Sequence, residues 1–247
     1  MPLNNEKILV TGVNSGLGKY IHESLPGSVG LNRDNKDTIL QEKRDYDLII
    51  HSAFNSKRVI EEKDYYQYVQ DNIFLTRDLC NLEHKKMVYI SSIDVYSSEC
   101  SDYKLSKLMA ESIVRRCAEN HLIFRCSSMI GPTMRNNTFM KLYREDRPVV
   151  GLTAYSTFNY VLQSDILDAI VESCDKDVQG VYDFVSSTTM SLFEVAKFFN
   201  KTPKLQFGAH TYLTPETIDV NTLNNIFPNL KKTSKQVIEK YLEVYNG

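Results

Sequence analysis

Short apolar runs that alternate with stretches of helical periodicity restrict this chain to few architectures. The runs Lys7–Thr11, Ser28–Leu31, Asp47–Ser52, Lys86–Ser91 and Leu122–Cys126 are each bounded by polar residues. Such runs suit strands buried on both faces, as a parallel sheet requires. Between them the spacing predicts helices over Gly16–Leu25, Glu61–Leu82 and Asp102–Asn120, with a small one near Asp37–Lys43 in the short connection after the second strand. In Asp102–Asn120 the residues Leu105, Leu108, Met109, Ser112, Ile113 and Arg116 follow helical spacing, and Asp102 is the expected N-cap. The pattern predicts an α/β fold: a Rossmann-type, doubly wound parallel sheet with right-handed crossovers. After about Met129 it loosens. Strand-like pieces fall at Pro148–Gly151, Asn159–Leu162 and Val181–Val185, and helical pieces at Phe139–Arg144, Asp165–Ser173, Leu192–Phe199 and Ser234–Tyr245. No linker or repeat interrupts the chain. One unit over residues 1–247 is expected, with 129–160 and 186–247 contributing a small C-terminal substrate lobe.

Bulk properties exclude several classes. A length of 247 residues can bury a substantial core, and a hydrophobic content of 42% is ordinary for a globular chain. The formal net charge of −2 exerts no global pull toward nucleic acid or anionic membrane, and no apolar run approaches a membrane span. Neither partner is expected. Cys80, Cys100, Cys117, Cys126 and Cys174 are odd in number, widely spaced and without a CxxC pair, so they read as reduced thiols of a cytoplasmic protein. Cysteines and histidines show no metal-ligand spacing, and no metal is expected. The start MPLNNEKILV runs straight into an apolar strand, so no secretory leader is expected.

The first strand leads into Thr11-Gly12-Val13-Asn14-Ser15-Gly16-Leu17-Gly18 and then a helix. Glycines are needed where a turn is tight and where backbone must approach a pyrophosphate, and the helix that follows offers unpaired N–H groups and a positive dipole end. The spacing GxxxGxG departs from the generic GxGxxG, but its place at the first strand–helix junction predicts dinucleotide binding. The second strand ends at Leu31-Asn32-Arg33-Asp34. Asn32 stands where an NAD enzyme usually carries an acid, and Arg33 can face a 2′-phosphate, which favours NADP over NAD. Asp34 keeps NAD open, and a solvated turn arginine is the alternative for Arg33.

Tyr103 and Lys107 lie four residues apart on one helix face. A tyrosine titrates near pH 10 unaided, and a fixed cation beside it moves that value toward the working range. The pair follows the strand ending Tyr89-Ile90-Ser91-Ser92, at the carboxyl edge where open α/β sheets bind ligands.

With these motifs in order, the chain resembles the extended short-chain dehydrogenase/reductase family, which includes nucleotide-sugar epimerases, dehydratases and reductases. The landmarks are TGVNSGLG, DLIIHSA, DNIFLTRDL, YISSIDVY, YKLSKLMAE, FRCSSMIGP and YVLQSDILDAIV. The resemblance implies that Tyr103 exchanges a proton with the substrate oxygen, that Lys107 holds the nicotinamide ribose and tunes Tyr103, and that Ser92, with Ser91 as its competitor, hydrogen-bonds the reacting oxygen. It implies that His51, Ser52 and Ala53 line the cofactor, that Asn72 is a structural or relay asparagine, and that Met129 to Pro132 open the substrate lobe. Three features depart from the extended branch: the glycine spacing, the eleven positions from Ser92 to Tyr103, and the small lobe.

Family dehydratases add an acidic pair after the catalytic Ser or Thr, whereas this chain has Ile93 and Asp94, a single carboxylate. Dehydration is disfavoured; a dual-base epimerisation wants a Cys or His partner near Ser92, for which Cys100 in the shortened loop is a candidate, although a loop cysteine is more often a bystander. Reduction of a 4-keto-6-deoxy nucleotide sugar is the expected reaction, with 4-epimerisation as the alternative. A non-catalytic NADP-binding regulator is the further alternative, although such relatives lack the catalytic tyrosine. Arg135, Asn136 and Asn137, followed by Lys141, Arg144 and Arg147, are the candidates for the substrate diphosphate. Against this, Lys141 and Arg144 can be a solvated helix face paired with Glu145 and Asp146. Tyr155, Phe158 and Tyr160 can stack on a base or pack in a core. The amphipathic helices Glu61–Leu82 and Asp102–Asn120 allow a homodimer.

Overall fold

A computed structural model describes residues 5–57 and 59–245 of the chain. Its centre is a parallel sheet of six strands: β1 (Ile8–Thr11), β2 (Val29–Leu31), β3 (Tyr46–His51), β4 (His84–Ser92), β5 (His121–Cys126) and a late strand, Gly180–Phe184, in the order β2-β1-β3-β4-β5-late strand. The alternation along each strand feeds two separate cores. Ile8, Val10, Leu48, Ile50, Val88, Ile90, Leu122 and Phe124 pack on one face. Leu9, Ile49, Met87, Tyr89 and Ile123, the residues between them, pack on the other. Helices α1 (Gly16–Ser24) and α2 (Lys36–Gln41) follow β1 and β2. The connection from β3 to β4 holds α3 (Glu62–Val69), a π-helical turn (Gln70–Phe74) and α4 (Leu75–Cys80), and that from β4 to β5 holds α5 (Asp102–Cys117).

Beyond β5 the chain builds a second layer. It comprises β6 (Ser128–Ile130), α6 (Thr138–Arg144), β7 (Thr157–Phe158), β8 (Tyr160–Leu162) and α7 (Gln163–Asp175); the late sheet strand is therefore β9. Then follow β10 (Met190–Ser191), α8 (Leu192–Phe198), α9 (Thr222–Ile226) and α10 (Ser234–Tyr245). β6 pairs with β8 in parallel and β7 with β10 antiparallel. Of these elements α7 and α9 return to the sheet, where Ile166, Ile170 and Leu223 join its first core. A third core of Ile130, Phe139, Leu142, Tyr160, Leu192, Val195 and Ile238 holds the rest together as the lobe.

Several expectations are corrected. The long helix over Glu61–Leu82 is broken by the π turn, which inserts one wide turn between α3 and α4. Ser101, not Asp102, is the N-cap of α5: its hydroxyl accepts the Lys104 N–H, and Asp102 begins the helix. The apolar stripe on α5 faces outward in part, with Leu105 and Met109 exposed, while Ser106, Lys107, Ala110, Glu111 and Val114 are buried. Pro148–Gly151 forms no strand, because Val149 makes only an isolated bridge with Gln206. No helix among the described residues is long and apolar enough to cross a membrane.

Strand order reverses at β1, whose neighbours β2 and β3 lie on opposite sides. Their connections leave in opposite directions, and a crevice opens at the carboxyl ends of β1 and β3. A buried chain of polar groups stitches these ends together. Thr11 Oγ1 accepts the N–H groups of Ser52 (3.1 Å) and Ala53 (2.9 Å), so its hydrogen goes to His51 Nδ1 at 2.9 Å. That leaves the His51 proton on Nε2, which donates to Thr76 Oγ1 (3.0 Å), and Thr76 in turn donates to the Asn72 carbonyl (2.8 Å). Expected as a cofactor wall, the His51 side chain is instead engaged inside the core.

Burial, reinforced by the Lys107 charge, lowers the His51 pKa to about 3. The unfolded chain binds a proton near pH 6.5 and the folded chain only near pH 3, so this group lowers stability as pH falls through that window. Each unit removes up to about 1.4 kcal/mol. Replacing His51 by Gln is expected to flatten the acid limb between pH 6.5 and 3 in urea denaturation. An acid limb identical to wild type would refute this role.

Candidate active site

The glycine turn forms the floor of the crevice. Gly12 (φ +76°) and Gly16 (φ +63°) occupy left-handed backbone, which glycine adopts without the penalty of a side chain. A Cβ on Gly18 would lie 2.4 Å from the Thr11 carbonyl oxygen, so α1 packs directly on the strand backbone. Above Gly16 a Cβ would meet nothing within 4 Å. The turn is therefore a side-chain-free cradle at a helix start, which fits a dinucleotide pyrophosphate.

Two cavities flank it. A cleft of about 530 Å³ is lined by Gly12, Leu17, Ser52, Ser92, Tyr103, Lys107 and Met129 among others. A second cavity of about 510 Å³ runs past Asn14, Asn32, Arg33, Ala53 and Asp71. The first has the size and place for a nicotinamide half with a substrate, the second for an adenosine half.

Helix α5 turns Tyr103 and Lys107 toward the sheet. Lys107 is buried, with Nζ donating to the Ile90 carbonyl at 2.8 Å and lying 3.8 Å from the Phe54 ring centroid. Phe54 also meets the Tyr103 ring edge-on at 5.2 Å, so it packs between the two residues. Burial pushes the Lys107 ammonium down to about 7, against the raising effects of Cys126 and Glu111. Phe54 was not among the sequence candidates.

The two adjacent serines separate cleanly. Ser91 is buried and donates to Glu111 Oε1 at 2.6 Å. Ser92, half-buried at the cleft, accepts the Asp94 N–H at 3.2 Å and keeps its own hydrogen to donate. Glu111 is held in a fork by Arg125 (3.0 and 2.7 Å), which also donates to Tyr96 Oη (2.8 Å). Tyr96 donates to Asp183 at 3.0 Å, whose other oxygen accepts the Asp219 N–H. Burial raises the Asp183 pKa, and the fork with Glu111 raises that of Arg125. Asp94 lines the cleft and accepts a bond from Tyr212 Oη at 2.8 Å. Tyr212 arrives from the segment before α9 and stacks on Phe158. No pattern in the sequence marked Tyr212.

Other candidates take different stations. Asn72 is buried in the π turn and grips Asn55 through both N–H and carbonyl (2.7 and 3.1 Å), so it positions the loop after β3. Asn32 spends its side-chain oxygen on the N–H groups of Asp34 and Asn35, closing its own turn. Arg33 is ion-paired with Asp71 at 2.9 Å. Of the expected diphosphate set, Arg135 and Asn137 line the main cleft. Asn137 also caps α6, accepting from the Met140 N–H. Asn136 and Arg144 line a separate groove beside Lys19, and Lys141 Nζ points to the Val149 carbonyl. The helical turn begun at Asn137 carries Lys141 and Arg144 away from the cleft. Asp146 pairs with Lys204 rather than with α6. Tyr160 packs in the lobe core, while Tyr155 is exposed. Among the described residues no group of His, Cys, Asp or Glu is arranged to hold a metal ion.

A family model described as the NAD dependent epimerase/dehydratase family matches residues 8–144. No curated protein matches the sequence. Solved structures align over nearly the whole chain. UDP-glucuronic acid 4-epimerase from Bacillus cereus, with UDP-glucuronic acid and NAD, is 17% identical with a TM-score of 0.73, over 96% of this chain and 98% of that one. The dTDP-4-dehydrorhamnose reductase from Bacillus anthracis, with NADP, is 18% identical with a TM-score of 0.76, over 97% and 99%. An NAD-dependent NDP-hexosamine 5,6-dehydratase involved in tunicamycin biosynthesis is 17% identical with a TM-score of 0.77, over 97% of both chains. At these identities the likeness is one of fold.

The Glu111–Arg125 fork makes a measurable demand. Glu111→Ala leaves a largely buried guanidinium without its carboxylate and is expected to cost about 3–5 kcal/mol in chemical denaturation. An unchanged denaturation midpoint would show that the network carries no such weight.

Proposed function

The chain belongs to the NAD dependent epimerase/dehydratase family, and from that premise we propose that it reduces the keto group of a nucleotide-linked 4-keto-6-deoxy sugar. The observation that carries this reading is the convergence of Ser92, Tyr103 and Lys107 on one cleft beside the glycine turn. A bound nicotinamide dinucleotide supplies the hydride. Ser92 holds the substrate oxygen by its hydroxyl hydrogen, and Tyr103 delivers a proton to that oxygen. Lys107 stabilises the resulting tyrosinate when charged, and its lowered pKa lets it exchange protons near neutrality. Gly12, Ser15, Gly16, Leu17, Ser52, Ala53 and Met129 form the walls against which the dinucleotide lies. Asp94 and Asn137 face the sugar nucleotide from the other side.

The cofactor reading favours NADP. The Arg33–Asp71 pair is exposed on the arginine side, 78% by side chain, and such pairs contribute about 0–1 kcal/mol. Asp71 also accepts from Asn55 (3.0 Å) and Gln67 (2.7 Å), so it stays satisfied when Arg33 turns to a 2′-phosphate. One observation supports 4-epimerisation instead: the lobe is bonded directly to the glycine turn, through Gly16 N–H to the Thr133 carbonyl at 2.9 Å. That contact suits a cofactor retained through many cycles.

Purified protein is to be mixed with NADPH or NADH and a panel of nucleotide 4-keto-6-deoxy sugars, with absorbance followed at the reduced cofactor. Net oxidation is expected, falling by about 10²–10⁴ in Tyr103→Phe, while cofactor fluorescence titrations stay unchanged. In the same titrations Arg33→Ala is expected to weaken NADPH by about tenfold relative to NADH. Tight cofactor binding without net oxidation on any sugar would displace the reductase by the epimerase reading.

The outward face of α5 supports a homodimer. Leu105 (45% exposed) and Met109 (54%) stand one turn apart, and Tyr65 and Tyr66 are exposed on α3. Leu105→Glu with Met109→Lys is expected to halve the mass measured by light scattering. A monomeric wild type would end the dimer reading.

A further inference from the structure

The two cavities meet at four lining residues: Gly12, Ser15, Phe54 and Arg135. Arg135 is the one cation among these four. It belongs to the lobe, in the segment between β6 and α6, yet it reaches back over the glycine turn. Its Nε donates to Ser15 Oγ at 3.0 Å and its Nη1 to Ser56 Oγ at 3.1 Å. The guanidinium thus spans from the turn after β1 to the loop after β3, across the mouth of the crevice. Its base is fixed two residues earlier. Thr133 accepts the Gly16 N–H through its carbonyl and donates its hydroxyl hydrogen to the Gly16 carbonyl at 2.7 Å, with the Gln163 side-chain amide 3.0 Å from the same hydroxyl.

This docking changes what the helix start offers an anion. Gly16 is the first residue of α1, and its N–H is consumed by Thr133. The turn has one donor fewer for a phosphate than a bare helix N-terminus. The segment that takes this donor brings a guanidinium to the same spot. Neutral serine hydroxyls are weak partners for that fork, whereas bonds to an anionic oxygen are about twice as strong and match its geometry in pairs.

We propose that Arg135 is a clasp that closes on the pyrophosphate of the bound dinucleotide and ties the substrate lobe to the cofactor. This rests on the reading that the crevice binds a nicotinamide dinucleotide. A dinucleotide that fills both cavities carries its pyrophosphate past their junction, where Arg135 lies. The residue expected from the sequence to hold the substrate diphosphate is thereby assigned to the cofactor. Release of the cofactor then requires the clasp to lift.

The test titrates the full-length chain, Arg135→Ala and Arg135→Lys with NADH, NADPH, ADP-ribose and adenosine, and the cofactor-loaded forms with UDP and dTDP. Thermal melting confirms that each variant is folded. Arg135→Ala is expected to weaken NADH, NADPH and ADP-ribose by one common factor of roughly 10 to 100. Adenosine, which lacks the pyrophosphate, binds unchanged, as do UDP and dTDP, and Arg135→Lys recovers part of the loss. Unchanged cofactor affinity with weakened UDP or dTDP would return Arg135 to the substrate and overturn the clasp. Loss of adenosine binding by the same factor would make Arg135 a mere support of the cavity wall, which also overturns it. A wild-type chain that binds neither dinucleotide would instead remove the cofactor reading on which the clasp rests.

Discussion

Everything functional in this molecule follows from the reversal of strand order at β1. Because β2 and β3 flank it on opposite sides, the connections part at its carboxyl end and leave a crevice that no side chain has to be removed to create. A gap between diverging strands is also a weak point, since backbone groups there lose their ladder partners. The chain meets that cost with one threonine: Thr11 accepts the two N–H groups beyond β3 and passes its hydrogen to His51. The line continues through Thr76 to the π turn, where Asn72 grips the loop that walls the cleft. Floor and wall of the crevice are thus parts of one buried hydrogen-bonded line.

A second polar line lies under Tyr103 and Lys107. Helix α5 presents Lys107 and Glu111 to the sheet on the same face, and neither is accessible to water in any useful degree. Burying such charges is unfavourable unless each finds partners. Lys107 rests on the Ile90 carbonyl and two aromatic rings, and Glu111 receives Ser91 and both arms of Arg125. The arrangement fixes β4, β5, β9 and α5 relative to each other at the edge where the cleft opens. It also explains why two neighbouring serines differ in role. Ser91 is spent on structure, and Ser92 is left to face the cleft.

The sheet and the Tyr–Lys pair were legible because they rest on local, periodic signals: apolar runs, glycines at a strand–helix junction, a four-residue spacing. The π turn was not, since it changes the phase of a helix without changing its composition, and with it came Asp71 at the second cavity. Tyr212 and Phe54 are ordinary aromatic residues in sequence, and only the fold brings them to the cleft. The diphosphate candidates are contiguous in sequence, but Asn136 opens onto the separate groove before α6 begins, and the rotation of α6 from Thr138 sends Lys141 to the Val149 carbonyl. The His51 side chain is turned into the core, whereas Asn32 lines the second cavity while its oxygen closes its own turn.

The lobe is made from two excursions of the chain, before and after β9, and its core includes Val237, Ile238 and Tyr241 from α10. At the start of that helix the fully buried Ser234 accepts the Tyr160 N–H and donates to the Thr188 carbonyl. Contacts so distant in sequence form late, because the loops they close must first be brought together. During synthesis the six-stranded sheet can be assembled through β9 while the lobe still lacks its last wall. The segment that carries Thr133 and Arg135 to the glycine turn has no finished core behind it until the final helix leaves the ribosome. Helix α10 thus completes the core behind the segment that reaches back to the glycine turn.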